Sequence, residues 1–259
     1  MGERIELMMV DIDGCITLGE GHPADLDVIK KLAEFNRTAA RTAARTADAD
    51  PAVPHITLCT GRQQPYVELM CQLIGARRPA VFENGSGIYV PETFEFITHP
   101  LITPDRLPEL VELTISIGRE LIKTGKAKLQ PGKYLSLSVY PTPESSVEYL
   151  GKYLSEMCRE RRYDFEIDIS IYCVNLFFKG INKGAGVKLI AEREGIDLKK
   201  IGGIGDGPGD LSYLGIVGFS ATPANGHETI KNIVDYVASK ENGAGTVEII
   251  EECIRRNRG

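Results

Sequence analysis

The segment Leu7-Met-Met-Val-Asp-Ile-Asp-Gly-Cys-Ile-Thr17 decides the fold class of this 259-residue chain. Glu6 to Ile12 reads as a short apolar strand, of the kind buried on both faces of a parallel sheet. Asp11 and Asp13 stand at its carboxyl end, and residues i and i+2 share one face of a strand. Carboxylates placed side by side repel, so the pair needs a cation or a shared proton. Asp and Gly are also ordinary turn residues, so the segment gains meaning only from what surrounds it.

A glycine-rich turn follows (Gly14, Gly19, Gly21, Pro23), and a helix is predicted from about Asp25, with Leu26, Ile29, Leu32 and Ala33 on one face. Arg37-Thr-Ala-Ala, Arg41-Thr-Ala-Ala and Arg45-Thr-Ala-Asp then form a tetrapeptide repeat. It reads as a basic stripe for an anionic partner or, the favoured reading, as a low-complexity extension that is solvated or frayed before Pro51. His55 to Thr60 is a second strand, running into Gly61-Arg62 and a helix from about Pro65 to Ile74. Pro79 to Phe82 is a third strand, ending in Glu83-Asn-Gly-Ser-Gly87. Successive strand–turn–helix units indicate a parallel α/β sheet.

The texture changes at residue 88. Ile88 to Thr98 reads as a hairpin, Pro104 to Lys123 and Pro143 to Arg161 as helices, and Tyr134 to Val139 and Phe165 to Lys179 as strands. After Gly180 the parallel pattern resumes, with a helix over Lys183 to Gly195 and a strand over Lys200 to Ile204. The expected organisation is a discontinuous α/β core, residues 1–87 and 180–259, interrupted by an α+β cap over residues 88–179.

Composition excludes several classes. With 30 basic and 36 acidic residues the net charge is −6, which disfavours nucleic acid or an anionic membrane as partner. No apolar run approaches the ~20 residues needed to span a bilayer, and the N-terminus does not read as a signal peptide because Asp11 interrupts its apolar stretch. The six cysteines are scattered without a C-x-x-C pair, which points to reduced thiols and a cytoplasmic location.

A second acidic loop, Ile201-Gly-Gly-Ile-Gly-Asp206-Gly-Pro-Gly-Asp210, also follows a short apolar run. Asp11, Asp13, Asp206 and Asp210 are thus expected around a hard cation at one sheet edge, where oxygen ligands and room for water suit Mg²⁺. Thr60-Gly61 offers a hydroxyl and backbone N–H groups at a helix start, a favourable anion site. Lys183 opens a helix whose dipole disfavours a cation there, which points to a functional reason for it. No G-x-x-x-x-G-K-[ST], H-E-x-x-H or G-x-S-x-G occurs.

In this combination the chain resembles the haloacid dehalogenase-like phosphatases. D-x-D-G lies at 11–14, Thr60 before Gly61, Lys183 next, and G-D-x-x-x-D at 205–210; Glu83-Asn-Gly and Pro223-Ala-Asn are marks of the family's Cof-like branch. Cys15 replaces the usual Thr after D-x-D-G, and Gly209 stands where Asn often precedes the final Asp. The resemblance implies a Rossmann-like parallel-sheet core with an inserted type II cap. It implies that Asp11 is a nucleophile forming an aspartyl-phosphate, with Asp13 as acid and then base. Asp11, the Asp13 carbonyl, Asp206 and Asp210 would serve Mg²⁺, while Thr60, Gly61 and Lys183 hold phosphate. Arg62 either touches phosphate or forms a salt bridge at the Thr60 turn.

Substrate choice is expected to lie with the cap, where Ser136, Ser138 and Asn175 share a sheet face over the site. Lys126, Lys128 and Lys133 are read as solvated rather than as contacts to a second anionic group. The expected activity is Mg²⁺-dependent hydrolysis of a small phosphorylated metabolite, phosphoglycolate first and a sugar phosphate next, by a monomer or homodimer. The alternatives are a sugar phosphomutase on the same scaffold and a non-catalytic phosphometabolite-binding protein.

Overall fold

Leu7 to Val10 form β1, and all four residues are sealed from water, as expected of a strand covered on both faces. The computed structural model describes residues 3–43 and 50–259. After β1 come α1 (Leu26–Ala43), β2 (His55–Leu58), α2 (Gln64–Ile74) and β3 (Ala80–Phe82). A hairpin of β4 (Gly87–Val90) and β5 (Glu95–Thr98) leads to α3 (Leu107–Ile117), β6 (Ala127–Leu129), β7 (Ser136–Pro141), α4 (Val147–Arg161), β8 (Phe165–Ile169) and β9 (Val174–Phe178). The chain returns through α5 (Lys183–Glu194), β10 (Ile201–Ile204), α6 (Leu211–Leu214) and β11 (Phe219–Thr222). It closes with α7 (Glu228–Lys231), β12 (Tyr236–Val237) and α8 (Asn242–Asn257).

The central sheet has the order β12-β11-β10-β1-β2 and is parallel throughout. Val10 lies opposite both Ile204 and Leu58, so the chain leaves these three strands side by side at Asp11, Gly205 and Cys59. On one face Met8, Val10 and Ile56 pack with Leu32 of α1, Met70 of α2 and Ile249 of α8. On the other, Leu7 and Met9 pack with Val187 and Ile190 of α5 and Tyr213 of α6. The result is a three-layer α/β core.

Three expectations are corrected. The buried stripe of α1 begins at Val28 and Ile29, and Leu26, the first residue of the helix, is exposed. The arginine repeat is no solvated extension over its first turns, because α1 runs to Ala43 and Ala39 is buried in the main cluster. Its last unit, at residues 45–48, lies outside the described residues. The hairpin β4–β5, assigned to the insert, pairs antiparallel with β3, which meets the central sheet through a parallel bridge from Cys59 to Val81. Ile88 packs with Leu7 and Met9, so the hairpin belongs to the core side.

The insert proper carries a four-stranded antiparallel sheet, β6-β7-β9-β8. Leu113, Ile117, Leu150 and Leu154 from α3 and α4 pack with Val139, Val174, Leu176 and Phe178 on one face. Strand alternation therefore turns Ser136, Ser138 and Asn175 to the opposite face, with Ser138 directly across from Asn175.

Asn36 shows how closely α1 is tied to its neighbours. Its buried amide donates to the carbonyls of Ile56 (3.0 Å) and Ile74 (2.9 Å) and accepts from the Ile56 N–H (2.8 Å). Asn36→Ala strands these groups and is expected to lower the unfolding free energy by about 2–4 kcal/mol. Urea denaturation checks this, and a loss below about 0.5 kcal/mol, the size of a surface substitution, would contradict it.

Candidate active site

The carboxyl edge of the central sheet is built by two acidic loops that meet face to face. After β1, the Asp11 N–H still donates to Ile204 O (2.9 Å), and the chain then turns back so that Gly14 N donates to Thr17 O (2.9 Å). Gly14 has φ +77°, and a Cβ there would lie 2.0 Å from Asp206 Oδ2. Only glycine satisfies both the backbone and the approach of that carboxylate. Asn225 holds the turn from outside, donating to Gly14 O (2.9 Å) and accepting from Asn242 N (2.6 Å). Thr246 donates to Cys15 O (2.7 Å), so residue 15 is fixed through its backbone, while its Sγ lies 4.0 Å from Asp206 Oδ1.

Asp210 organises the second loop. One oxygen accepts the N–H groups of Asp206 and Gly207, each at 3.0 Å, and the other accepts from Lys183 Nζ at 2.6 Å. Lys183 is the first residue of α5, whose N-cap Asn182 accepts from Ala185 N (2.9 Å). Its ammonium also lies 2.8 Å from Asp11 Oδ2, while Asp11 Oδ1 accepts from Ile12 N (2.8 Å). Burial disfavours the Lys183 charge, but Asp11 and Asp210 outweigh it and hold the amine above the usual lysine range. Burial pushes Asp11 up to about 8, opposed by Lys183 and reinforced by Asp210, Asp206 and Asp13. Asp206 is pushed up to about 7 by burial, then by Asp210.

Asp11, Asp206 and Asp210 each bring an oxygen within 4.8 Å of the others. Asp206 has no cationic side chain within 4.0 Å among the described residues, so three carboxylates share one ammonium. Excess buried negative charge with an open carboxylate suits a divalent cation. The fourth expected ligand stands apart: Arg62 grips the Asp13 side chain in a two-pronged ion pair (2.6 and 2.7 Å). That leaves the Asp13 backbone carbonyl, rather than its carboxylate, for a metal.

Thr60 is buried at the end of β2, where its Oγ1 accepts from Arg62 N (3.2 Å) and its carbonyl accepts from Asn84 N (3.1 Å). A Cβ on Gly61 would fall 2.8 Å from Asn84 Oδ1. Of the two readings of Arg62, the structure shows the salt bridge, to Asp13 and also to Glu20 (3.4 Å). At Gly209 nothing lies within 4 Å of a would-be Cβ. Three residues on, in α6, Ser212 Oγ accepts from Gly184 N (3.0 Å) and ties α6 to the start of α5.

Ser136, Ser138 and Asn175 lie on one cap face and are turned inward. Ser136 Oγ donates to Glu83 Oε2 (2.8 Å), and Ser138 Oγ donates to Asn175 Oδ1 (2.5 Å). Glu83 is fully buried and also accepts the N–H groups of Tyr134 (3.1 Å) and Leu135 (3.0 Å). Glu20 makes a second seam, accepting from Tyr140 Oη (2.6 Å) and Gln130 Nε2 (3.3 Å). Sequence reading passed over Glu20 and Tyr140; Tyr140 continues the alternation of Ser136 and Ser138 and was to be found there. Lys133, expected to be solvated, is instead drawn inward and donates to Ser138 Oγ (2.5 Å). Lys128 is exposed as expected, and Lys126 donates to Tyr149 Oη (3.0 Å).

A parallel sheet ending in two facing acidic loops, a bridging lysine and an inserted α+β segment after β5 defines a recognisable class. The profile of the haloacid dehalogenase-like hydrolases matches residues 120–250. Phosphoglycolate phosphatase of Methanopyrus kandleri is 28% identical over 249 residues, covering 96% of this chain and 97% of that protein. Its counterpart in Methanothrix thermoacetophila is 27% identical over 251 residues, 95% and 96% of the two chains. Among solved structures, Thermoplasma acidophilum 0175 superposes with a TM-score of 0.76 at 18% identity, over 97% of this chain and 99% of that one. Sucrose-phosphatase of Synechocystis, solved with sucrose and phosphate, gives a TM-score of 0.66 at 18% identity, over 97% and 98%. The chain belongs to the haloacid dehalogenase-like hydrolases, as a phosphatase of that family. No helix among the described residues is long and apolar enough to cross a membrane.

Because a methyl group at Gly14 has no room beside the Asp206 carboxylate, Gly14→Ala must displace that carboxylate from its place in the acidic cluster. Phosphate release from p-nitrophenyl phosphate is expected to fall at least about 100-fold, the penalty of an ångström-scale misplacement. Retention of wild-type turnover would show that this contact is not needed.

Proposed function

We propose that the chain hydrolyses a small phosphorylated metabolite, with Mg²⁺, through an aspartyl-phosphate on Asp11. The observation that carries this reading is Asp11 itself. It stands at the carboxyl end of the central strand, held between Lys183 Nζ and Ile12 N–H, with Asp206 and Asp210 close by. A carboxylate so fixed is aimed without further ordering.

In the first step an Asp11 oxygen attacks phosphorus and the ester oxygen departs, taking a proton from Asp13. In the second, Asp13 accepts a proton from the water that attacks the phosphorus of the acyl phosphate, releasing inorganic phosphate and restoring Asp11. Asp13 must turn from the Arg62 fork to do this, since both its oxygens are engaged there. Lys183 stabilises the charge gathering on the phosphoryl oxygens, and Thr60 with the Gly61 N–H would hold those oxygens. Asp11, Asp206 and the Asp13 carbonyl would hold Mg²⁺, with Asp210 direct or through water. When bound, the ion offsets the repulsion between carboxylate and phosphate dianion.

The near full-length similarity to phosphoglycolate phosphatases supports phosphoglycolate as the substrate to test first, ahead of a sugar phosphate. The pairing of β4–β5 with β3 supports a division near residue 100: a core of 3–99 and 180–259, and a cap of 100–179.

Asp11→Asn is expected to reduce turnover of p-nitrophenyl phosphate by about 10⁴-fold or more, as loss of a nucleophile does, with unchanged circular dichroism. An active Asn variant would overturn the assignment. Mg²⁺ should raise the Tm of the wild-type protein and leave that of Asp206→Asn nearly unmoved, read by differential scanning calorimetry; equal shifts would remove Asp206 from the metal site.

A further inference from the structure

Among the described residues, Lys183, Arg62 and Lys133 are cationic side chains drawn inward at or near the junction of core and cap, and two are already matched. Lys183 has Asp11 and Asp210 at 2.8 and 2.6 Å, and Arg62 has Asp13 and Glu20 at 2.6 and 3.4 Å. Lys133 differs: among the described residues no carboxylate oxygen lies within 4.0 Å of its ammonium.

Its surroundings are nonetheless built. Lys133 Nζ donates to Ser138 Oγ (2.5 Å), Ser138 donates to Asn175 Oδ1 (2.5 Å), and Asn175 Nδ2 donates to Asp168 Oδ2 (3.2 Å). This relay runs in one direction and uses one of the three ammonium hydrogens. The loop is oriented toward the core, because Tyr134 and Leu135 N–H are fixed on Glu83 and Gly132 lies against Gln63, the residue after Arg62. Glu83 is not that counterion: neither of its oxygens lies within 4.0 Å of the ammonium, and they accept instead from those two N–H groups and from Ser136. Burial pushes the Lys133 amine below the usual lysine range, with Glu83 the main opposing influence. A desolvated, unmatched ammonium favours an arriving anion.

We propose that Lys133 is a specificity-determining residue that binds a carboxylate of the substrate, so that the enzyme selects short phosphate monoesters of hydroxy acids over neutral phosphate esters. This rests on the reading above, in which the phosphate occupies Asp11, Thr60 and Lys183. Ser138 and Asn175 act through Lys133 as positioning residues, fixing where its remaining hydrogens point.

The test compares 2-phosphoglycolate with 2-hydroxyethyl phosphate, which replaces the carboxylate by a hydroxymethyl group. The wild-type protein is expected to favour phosphoglycolate in kcat/KM by about 10- to 100-fold, the worth of one charge-assisted contact. In Lys133→Met the preference should fall to within about threefold of unity, mainly through KM, as loss of uniform binding does. Lys133→Arg should keep part of it. Equal use of both esters by the wild-type protein, or an undiminished preference in a Lys133→Met protein that melts cooperatively, overturns the proposal. Should Lys133→Met not fold, Lys133→Gln takes its place with the same expectation. The ratio of Kd values for the two esters, measured by calorimetry on Asp11→Asn protein, separates the two ideas. A carboxylate preference there without wild-type turnover supports Lys133 and sinks the hydrolytic reading; no preference sinks Lys133 alone.

Discussion

Lys183 carries its ammonium into a buried position at the positive end of its own helix, between Asp11 and Asp210. Desolvation and the helix dipole both oppose a cation there. It persists because the two carboxylates arrive from different strands, one following β1 and the other following β10. Removing any member of the triad strands the rest, so three segments distant in sequence are made mutually dependent. Asp210 passes the constraint on through its second oxygen, which fixes the Asp206 and Gly207 N–H groups. Gly14 completes it by admitting the Asp206 carboxylate where any side chain would collide. The net −6 of the chain therefore says little about this edge, where a small negative cluster carries a surplus charge that suits a divalent cation.

A second pair of carboxylates binds the cap to this arrangement. Glu83 is buried immediately after β3 and gathers three donors from the start of β7 and the loop before it. Glu20, from the turn after β1, takes Tyr140 and Gln130 from the cap and Arg62 from the core. Arg62 in turn grips Asp13. The cap's position and the posture of Asp13 are thus linked through a continuous set of hydrogen bonds and ion pairs.

Much of the core was legible because its rules are local. A short apolar run ending in carboxylates marks a parallel strand end wherever it occurs, and Asp11, Asp206 and Asp210 meet as such ends predict, with Lys183 between Asp11 and Asp210. Strand alternation placed Ser136, Ser138 and Asn175 on one face. What sequence could not supply was partnership. The hairpin at 87–98 shows its own pairing in its pattern, but not that its third strand is β3. The Arg-Thr-Ala-Ala units look solvated because their charges dominate the pattern, while one alanine, Ala39, sits in the core. Lys133 and Glu20 resemble any surface charge until the loops that carry them are folded against each other.

The order of strands also bears on how the molecule is made. β1 is central, yet one of its two neighbours, β10, emerges nearly 200 residues later, at Ile201–Ile204. The sheet of the insert, by contrast, pairs only with itself and is complete by Phe178. During synthesis from the N-terminus, the insert can close on local contacts while β1 still waits for its partner, since long-range pairing carries the larger entropic cost. The opening strand is thus among the last to be sealed, and Asn257, donating to Ile5 O and Ala52 O at 2.9 and 2.8 Å, ties the final helix back to the chain's beginning.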